Sequence, residues 1–271
     1  MMEERAMKPG TVTLIHFSPT GTTKRILEAI AEGMGTPAAE RIDITLPSHG
    51  SGPLHPSSGC AIIGVPVYGG RVPPLAVKRL SSVSGNGIPA VLVAVYGNRA
   101  WDDALLELML LASDQGFVPV ACGAFIGEHS FSGDDTPIAP GRPDNDDIAT
   151  ARAFGERVLE KLKGGNAVTP LSADAIPGNL PHRDHLPNAG VTPRVDATLC
   201  TLCGICETVC PSETIAFDGA VTFHPGNCIL CHACVKSCPE GALAFAEQGL
   251  RDLAKKLQAL CAKRREPELF L

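Results

Sequence analysis

Two cysteine runs constrain this chain more than anything else in it. Cys200-x-x-Cys203-x-x-Cys206-x-x-x-Cys210-Pro211 is followed by Cys228-x-x-Cys231-x-x-Cys234-x-x-x-Cys238-Pro239. A cubane iron–sulfur cluster needs four thiolates, and short x-x gaps let three of them converge from one tight loop. In the bacterial two-cluster spacing, the fourth cysteine of each run ligates the other cluster. The expected ligand sets are therefore Cys200, Cys203, Cys206 and Cys238 for one 4Fe–4S cluster, and Cys228, Cys231, Cys234 and Cys210 for a second. Pro211 and Pro239 end each loop, where a missing N–H does little harm. Structural zinc prefers two ligand pairs separated by a longer spacer. Here four thiols crowd each run, and the pattern repeats with a proline after both fourth cysteines.

On these residues, the stretch 194–247 resembles a bacterial-type ferredoxin carrying two 4Fe–4S clusters. Residues 195–220 and 223–247 read as an internal repeat. Each half is a cysteine loop followed by a short strand, Thr214–Phe217 or Ala242–Phe245, and the halves are expected to pair about a pseudo-twofold axis. Cys60, Cys122 and Cys261 stand outside the runs in apolar surroundings and read as small buried hydrophobes.

The N-terminal half has its own signature. Thr11–Phe17 is apolar and β-branched, a strand. Ser18-Pro19-Thr20-Gly21-Thr22-Thr23 follows at once, and Ile26, Leu27, Ile30 and Met34 then mark a helical face. First-turn N–H groups, the helix dipole and the hydroxyls together make an anion site. Neither a Walker A loop nor a G-x-G-x-x-G loop is present. A hydroxyl-rich loop of this kind suits a phosphomonoester such as FMN; the competing reading is a helix cap that binds nothing. Ser18, Thr20, Gly21 and Thr23, with Thr22 between, fall on the phosphate motif of the flavodoxin family, which this half resembles.

Arg41–Thr45, Ala61–Val67, Ala90–Tyr96 and Phe117–Ile126 read as further strands. Pro74–Val83, Trp101–Gln115 and Asp146–Lys163 read as helices between or after them. Leu46–Gly59 shows no helical period, unlike a standard flavodoxin. The expected fold is α/β: a flavodoxin-like, doubly wound, five-stranded parallel sheet, with a small C-terminal α+β ferredoxin domain. Ligands in such sheets sit beyond the carboxyl ends of the strands. The flavodoxin resemblance assigns the flavin ring to two loops there. Tyr68 would offer a stacking face, and Gly69 and Gly70 a close backbone approach. Asn98 and the backbone of Gly97–Arg99 would bond the pyrimidine edge. Arg71 or Arg99 would place positive charge near the reduced flavin. Strand-end packing for Tyr68 and Tyr96, and solvated roles for the arginines, stand beside these readings. His129, in the long loop Gly127–Gly141, is a proton-transfer candidate or a surface residue.

The expected organisation is residues 1–163 as an FMN domain, 164–193 as a linker or strap, 194–247 as the cluster domain and 248–271 as a C-terminal helix. Leu250, Leu253, Leu257 and Leu260 would form that helix's packed stripe. His182 and His185 in the strap make a poor metal site. Net charge is −6, which argues against nucleic-acid binding. Residues 194–247 hold two basic and six acidic side chains, a net of −4, which suits basic electron-transfer partners. Met1–Gly10 has no apolar signal core and no run is long enough to span a bilayer, so the cytoplasm is the expected compartment.

The whole chain resembles flavodoxin–ferredoxin fusion proteins. That resemblance implies electron transfer between two 4Fe–4S clusters and FMN, with a ferredoxin, a flavodoxin or an oxidoreductase as partner. A flavin-dependent reductase of a small substrate is the alternative, and a redox-sensing interaction protein a third. The sequence leaves a homo-oligomer open.

Overall fold

The computed structural model describes residues 11–36, 40–47, 54–56, 59–164, 169–186 and 190–271. The expectations placed on residues 1–10, and on parts of Leu46–Gly59 and Gly164–Pro193, lie outside them. The first domain runs β1 (Val12–His16), α1 (Thr22–Gly33), β2 (Glu40–Asp43), β3 (Cys60–Pro66), α2 (Pro74–Leu80), β4 (Pro89–Tyr96), α3 (Ala104–Asp114), β5 (Val118–Ile126) and α4 (Asn145–Lys163). All pairings among β1–β5 are parallel, in the order 2-1-3-4-5. That is the doubly wound order whose ligand crevice lies at the β1/β3 reversal. No helix occurs among the described residues between β2 and β3.

The strands read as unbroken apolar runs because both faces of a parallel sheet are covered. α2 and α3 bury one face through Leu80, Leu105 and Leu108 against Ile63 and Leu92. α1 and α4 bury the other through Ile26, Ile30 and Phe154 against Leu14, Ile62 and Val93. Each such side chain contributes about 1.5–3 kcal/mol on burial. Cys60 and Cys122 are part of this core, and burial pushes both thiols up to about 12, so they remain neutral.

The second domain is built from β6 (Arg194–Val195), α5 (Ile205–Thr208), β7 (Ile215–Phe217), β8 (Val221–Phe223), α6 (Ala233–Ser237) and β9 (Leu243–Ala244). β6 pairs with β9 and β7 with β8, both antiparallel. The two halves use the same backbone device. Leu202 and Gly204 in the first run, and Leu230 and His232 in the second, all have positive φ.

The C-terminal segment departs from expectation. α7 covers only Gln248–Leu260, and β10 (Glu268–Phe270) then pairs antiparallel with β5 as a sixth strand. The edge of β5 offers an unpaired ladder, and Pro267 bars continuation of a helix. The packed stripe of α7 also differs from the leucine spacing. Ala254, Leu257 and Cys261 are buried, whereas Leu253 and Leu260 are exposed. Ile138 and Phe131, on the loop after β5, receive that face.

Candidate functional site

Two recesses lie in the second domain. One is lined by Cys200, Cys203, Cys206 and Cys238; the other by Cys210, Cys228, Cys231 and Cys234. The fourth cysteine of each run therefore lines the opposite recess. Backbone donors face the two crossing sulfurs: Thr214 N–H to Cys210 Sγ and Ala242 N–H to Cys238 Sγ, each at 3.3 Å. Such bonds stabilise a thiolate. Among the described residues, no three His, Cys, Asp or Glu side chains close around the position of a single metal ion. Four thiols line each recess, the donor number that a 4Fe–4S cluster requires.

The second recess is pressed against the first domain. Ile229 packs on the sheet core. Lys236 Nζ pairs with Glu128 at 2.7 Å, and Arg79 donates to the Pro211 carbonyl at 2.6 Å. Arg79 also donates to the Thr45 carbonyl and lies over the Phe17 ring, so it joins the ends of β1 and β2 to the cysteine domain. A row of rings crosses the same junction. His129–Phe131, Phe131–His232 and His232–Phe245 have centroids 5.2, 4.8 and 4.5 Å apart. Tyr68 is hydrogen-bonded to Ser130 and sits near enough to Cys231 to feel its charge. Burial, then that charge, pushes its hydroxyl well above the usual tyrosine range.

The phosphate-type loop fits its expected ligand. Gly21 takes φ 81°, a left-handed turn open to glycine, and opens α1. Ser18 Oγ accepts from Lys24 N–H at 3.1 Å, while Thr22 and Thr23 belong to the first turn, whose N–H groups have no intrahelical acceptor. Thr23 is buried, and its Oγ1 has no partner. An orphaned hydroxyl beside free first-turn donors is what a bound phosphate would satisfy. Ser18 N–H itself is taken by Thr45 Oγ1 at 2.8 Å.

The ring loops are more occupied than the sequence suggested. Asn98 uses its whole amide on the C-terminal segment. It donates to the Cys261 and Lys263 carbonyls and accepts from Arg265 N–H. This corrects the expectation that its side chain meets a pyrimidine edge. Gly69 lies under Leu186, Gly70 against Asp102 and Arg183, and Gly97 against the His129 ring. Their missing side chains thus make room for protein groups. Arg71 is neutralised by Glu107 at 2.8 Å and Arg99 by Asp102. The strap is what fills this region. Asn179 and Arg183 N–H groups both donate to buried Asp103, and the Arg183 carbonyl accepts from Arg71. The sequence showed this segment only as a linker or strap carrying His182 and His185; the acidic trio Asp102, Asp103 and Glu107 was the available signal for a docked segment.

His129 is held neutral. Burial first, then Lys236 and Arg99, lower its pKa to about 4, and its Nδ1 accepts from Phe131 N–H. The unfolded chain would bind a proton near pH 6.5, so stability rises with pH between about 4 and 6.5 and is lost as pH falls through that window. Urea midpoints at pH 7 and pH 5 are expected to differ accordingly. His129→Asn, whose Oδ1 can replace Nδ1, should make that part of the profile shallower, leaving the slope contributed by His16 and His232, whose pKa values burial also lowers.

Residues 199–242 match the family model of the 4Fe–4S dicluster domain. No curated protein matches the chain by sequence. Among solved structures, a flavodoxin from the domain Archaea is 13% identical with a TM-score of 0.37, over 56% of this chain and 99% of its own. A flavodoxin, WrbA-like protein from Agrobacterium tumefaciens is 19% identical with a TM-score of 0.38, over 57% and 97%. Oxidised Flavodoxin 1 from Bacillus cereus is 16% identical with a TM-score of 0.38, over 56% and 97%. These superpositions are loose, and the strand order carries the fold.

Proposed function

We propose that this chain, a flavodoxin-like domain joined to a 4Fe–4S dicluster domain, passes electrons between two 4Fe–4S clusters and FMN. The observation that carries the reading is the docking of the second cysteine recess at the carboxyl ends of the strands, where such sheets bind ligands. Cys200, Cys203, Cys206 and Cys238 would hold one cluster, and Cys210, Cys228, Cys231 and Cys234 the other. Thr20, Gly21, Thr22 and Thr23 would hold the FMN phosphate, with Ser18 closing the loop. Tyr68 and the backbone of Gly69, Gly70, Gly97 and Arg99 remain the candidates nearest the ring, together with the strap that covers them. A cubane moves one electron at a time and a flavin up to two, so their union would interconvert the two kinds of traffic.

An electron carrier is favoured over a reductase of a small substrate, since His129 is packed among rings and neutral rather than presented to a pocket. Anaerobic stopped-flow mixing of the reduced protein with ferredoxin or flavodoxin, followed separately at flavin and cluster wavelengths, tests this. Rapid oxidation by those carriers is expected; turnover of small substrates alone would favour the reductase.

FMN binding has its own test. Thr23→Val removes the orphaned hydroxyl, a hydrogen bond to a charged ligand worth about 1.5–3 kcal/mol. The Kd for FMN, read from fluorescence quenching on titrating apoprotein, is expected to rise about tenfold or more. An unchanged Kd would remove the phosphate from this loop.

A further inference from the structure

The internal repeat permits a comparison within one molecule. Equivalent positions of the two runs differ in what covers them. Thr201, Leu202, Cys203 and Ile205 are exposed, whereas Ile229 and Leu230 are half-buried and Cys231 and Ala233 are buried. The first domain covers the second run. Nothing in the described chain covers the first, although its exposed face is apolar: Leu199 is 48% exposed, Leu202 49% and Ile205 37%. Leu202 and Ile205 line the open cysteine recess, Leu199 directly precedes its first cysteine, and the exposure of these side chains is not explained by the packing of this chain.

The charge of the domain that carries this patch is one-sided. Both basic side chains of residues 194–247 are paired, Arg194 with Glu247 and Lys236 with Glu128. Asp196, Glu207, Glu213, Asp218 and Glu240 are all exposed, and Glu240 lines the first recess. An apolar centre with a polar rim is the anatomy of a protein interface, and an acidic rim selects and steers a basic partner.

We infer that the two recesses have different stations, an inference that rests on the proposed function. The second, bearing Cys231, is the internal station facing the first domain. The first, bearing exposed Cys203, is the port, and Leu199, Leu202 and Ile205 form the docking patch for a protein electron carrier with a basic face. When a reduced carrier docks, one electron leaves its cofactor and enters the cluster behind Cys203. The carrier is oxidised by one electron and the cluster reduced by one, with no bond or proton transferred. Departure to an oxidised carrier is the same step reversed.

The test uses dithionite-reduced full-length protein freed of excess reductant, with basic cytochrome c as the protein acceptor and ferricyanide as a small one. It is run with and without FMN. The FMN-free arm isolates the port, because it needs only the clusters; absence of cluster absorbance would instead mark failure of the proposed function. Leu199→Ser/Ile205→Ser is expected to slow cytochrome c reduction about tenfold while leaving ferricyanide reduction unchanged. Glu240→Lys should also slow cytochrome c and flatten the salt dependence of its rate. Variants are compared at equal iron content, and Glu240→Lys serves should the double variant lose its cluster. Unchanged cytochrome c rates in both would overturn the port. So would an equal slowing by Leu253→Ser on α7. A patch whose substitution altered only the sedimentation of the protein would be a contact between copies, and would overturn it as well.

Discussion

Removing Cys210 and Cys231 together is expected to cost no more iron than removing either alone. Cys210 belongs to the first run by sequence but lines the second recess with Cys228, Cys231 and Cys234. Each cubane takes four thiolates, so Cys210→Ala should leave about four of about eight irons per chain. Adding Cys231→Ala strikes the same cluster and should again leave about four. Pairing Cys210→Ala with Cys203→Ala strikes both, and iron and acid-labile sulfide should fall towards zero. If each run held its own cluster, the outcomes would be exchanged: the first pair would empty both sites and the second would leave one intact. Iron and sulfide assays on anaerobically prepared protein read the difference directly.

The largest stability effect is expected at the pair that holds the strap. Arg71 and Glu107 are 12% and 7% exposed, and Glu107 also accepts from Val72 N–H at 2.8 Å. Glu107→Leu leaves a buried guanidinium and a buried N–H without their acceptor, a loss of about 3–5 kcal/mol. Arg71→Met alone should cost a similar amount through the stranded carboxylate. The double variant replaces both charges by apolar groups and should recover most of the loss. Urea midpoints of all four proteins, followed by tryptophan fluorescence at Trp101, provide the cycle. Additive losses would mean that the two side chains act separately. Because the Arg183 carbonyl accepts from Arg71, both single variants should also expose the strap to protease.

What the sequence made legible follows from the range of the interactions involved. The parallel strands were readable because burial on both faces demands continuous apolar runs such as Ala61–Val67. The cysteine runs were readable as a ligand pattern because cluster geometry fixes ligand spacing within a short loop. The turn at Gly21 that opens α1 was readable for the same local reason. The errors lie where distant segments meet. Asn98 looked like a ligand-binding loop residue, but its partners are more than 160 positions away, at Cys261, Lys263 and Arg265. Leu253 and Leu260 fitted a helical period, yet the packed face of α7 is set one residue round, by where Ile138 and Phe131 stand. β10 is three residues long, too short to carry an alternation of its own, and forms because β5 offers an edge. Gly69 and Gly70 were read as places where backbone approaches a flavin ring, and Gly97 as a backbone donor to its edge; the groups lying against them in this fold are Leu186, Asp102 with Arg183, and the His129 ring.

On the proposed function, the cluster behind Cys231 and the flavin site exchange electrons inside one chain. Laser-flash reduction of the clusters in anaerobic, FMN-loaded protein, followed by the rise of reduced flavin over a wide range of protein concentration, tests it most directly. The expected result is a first-order flavin signal whose rate does not change with concentration. A rate that scales with concentration, or clusters that stay reduced beside an oxidised flavin, would contradict it.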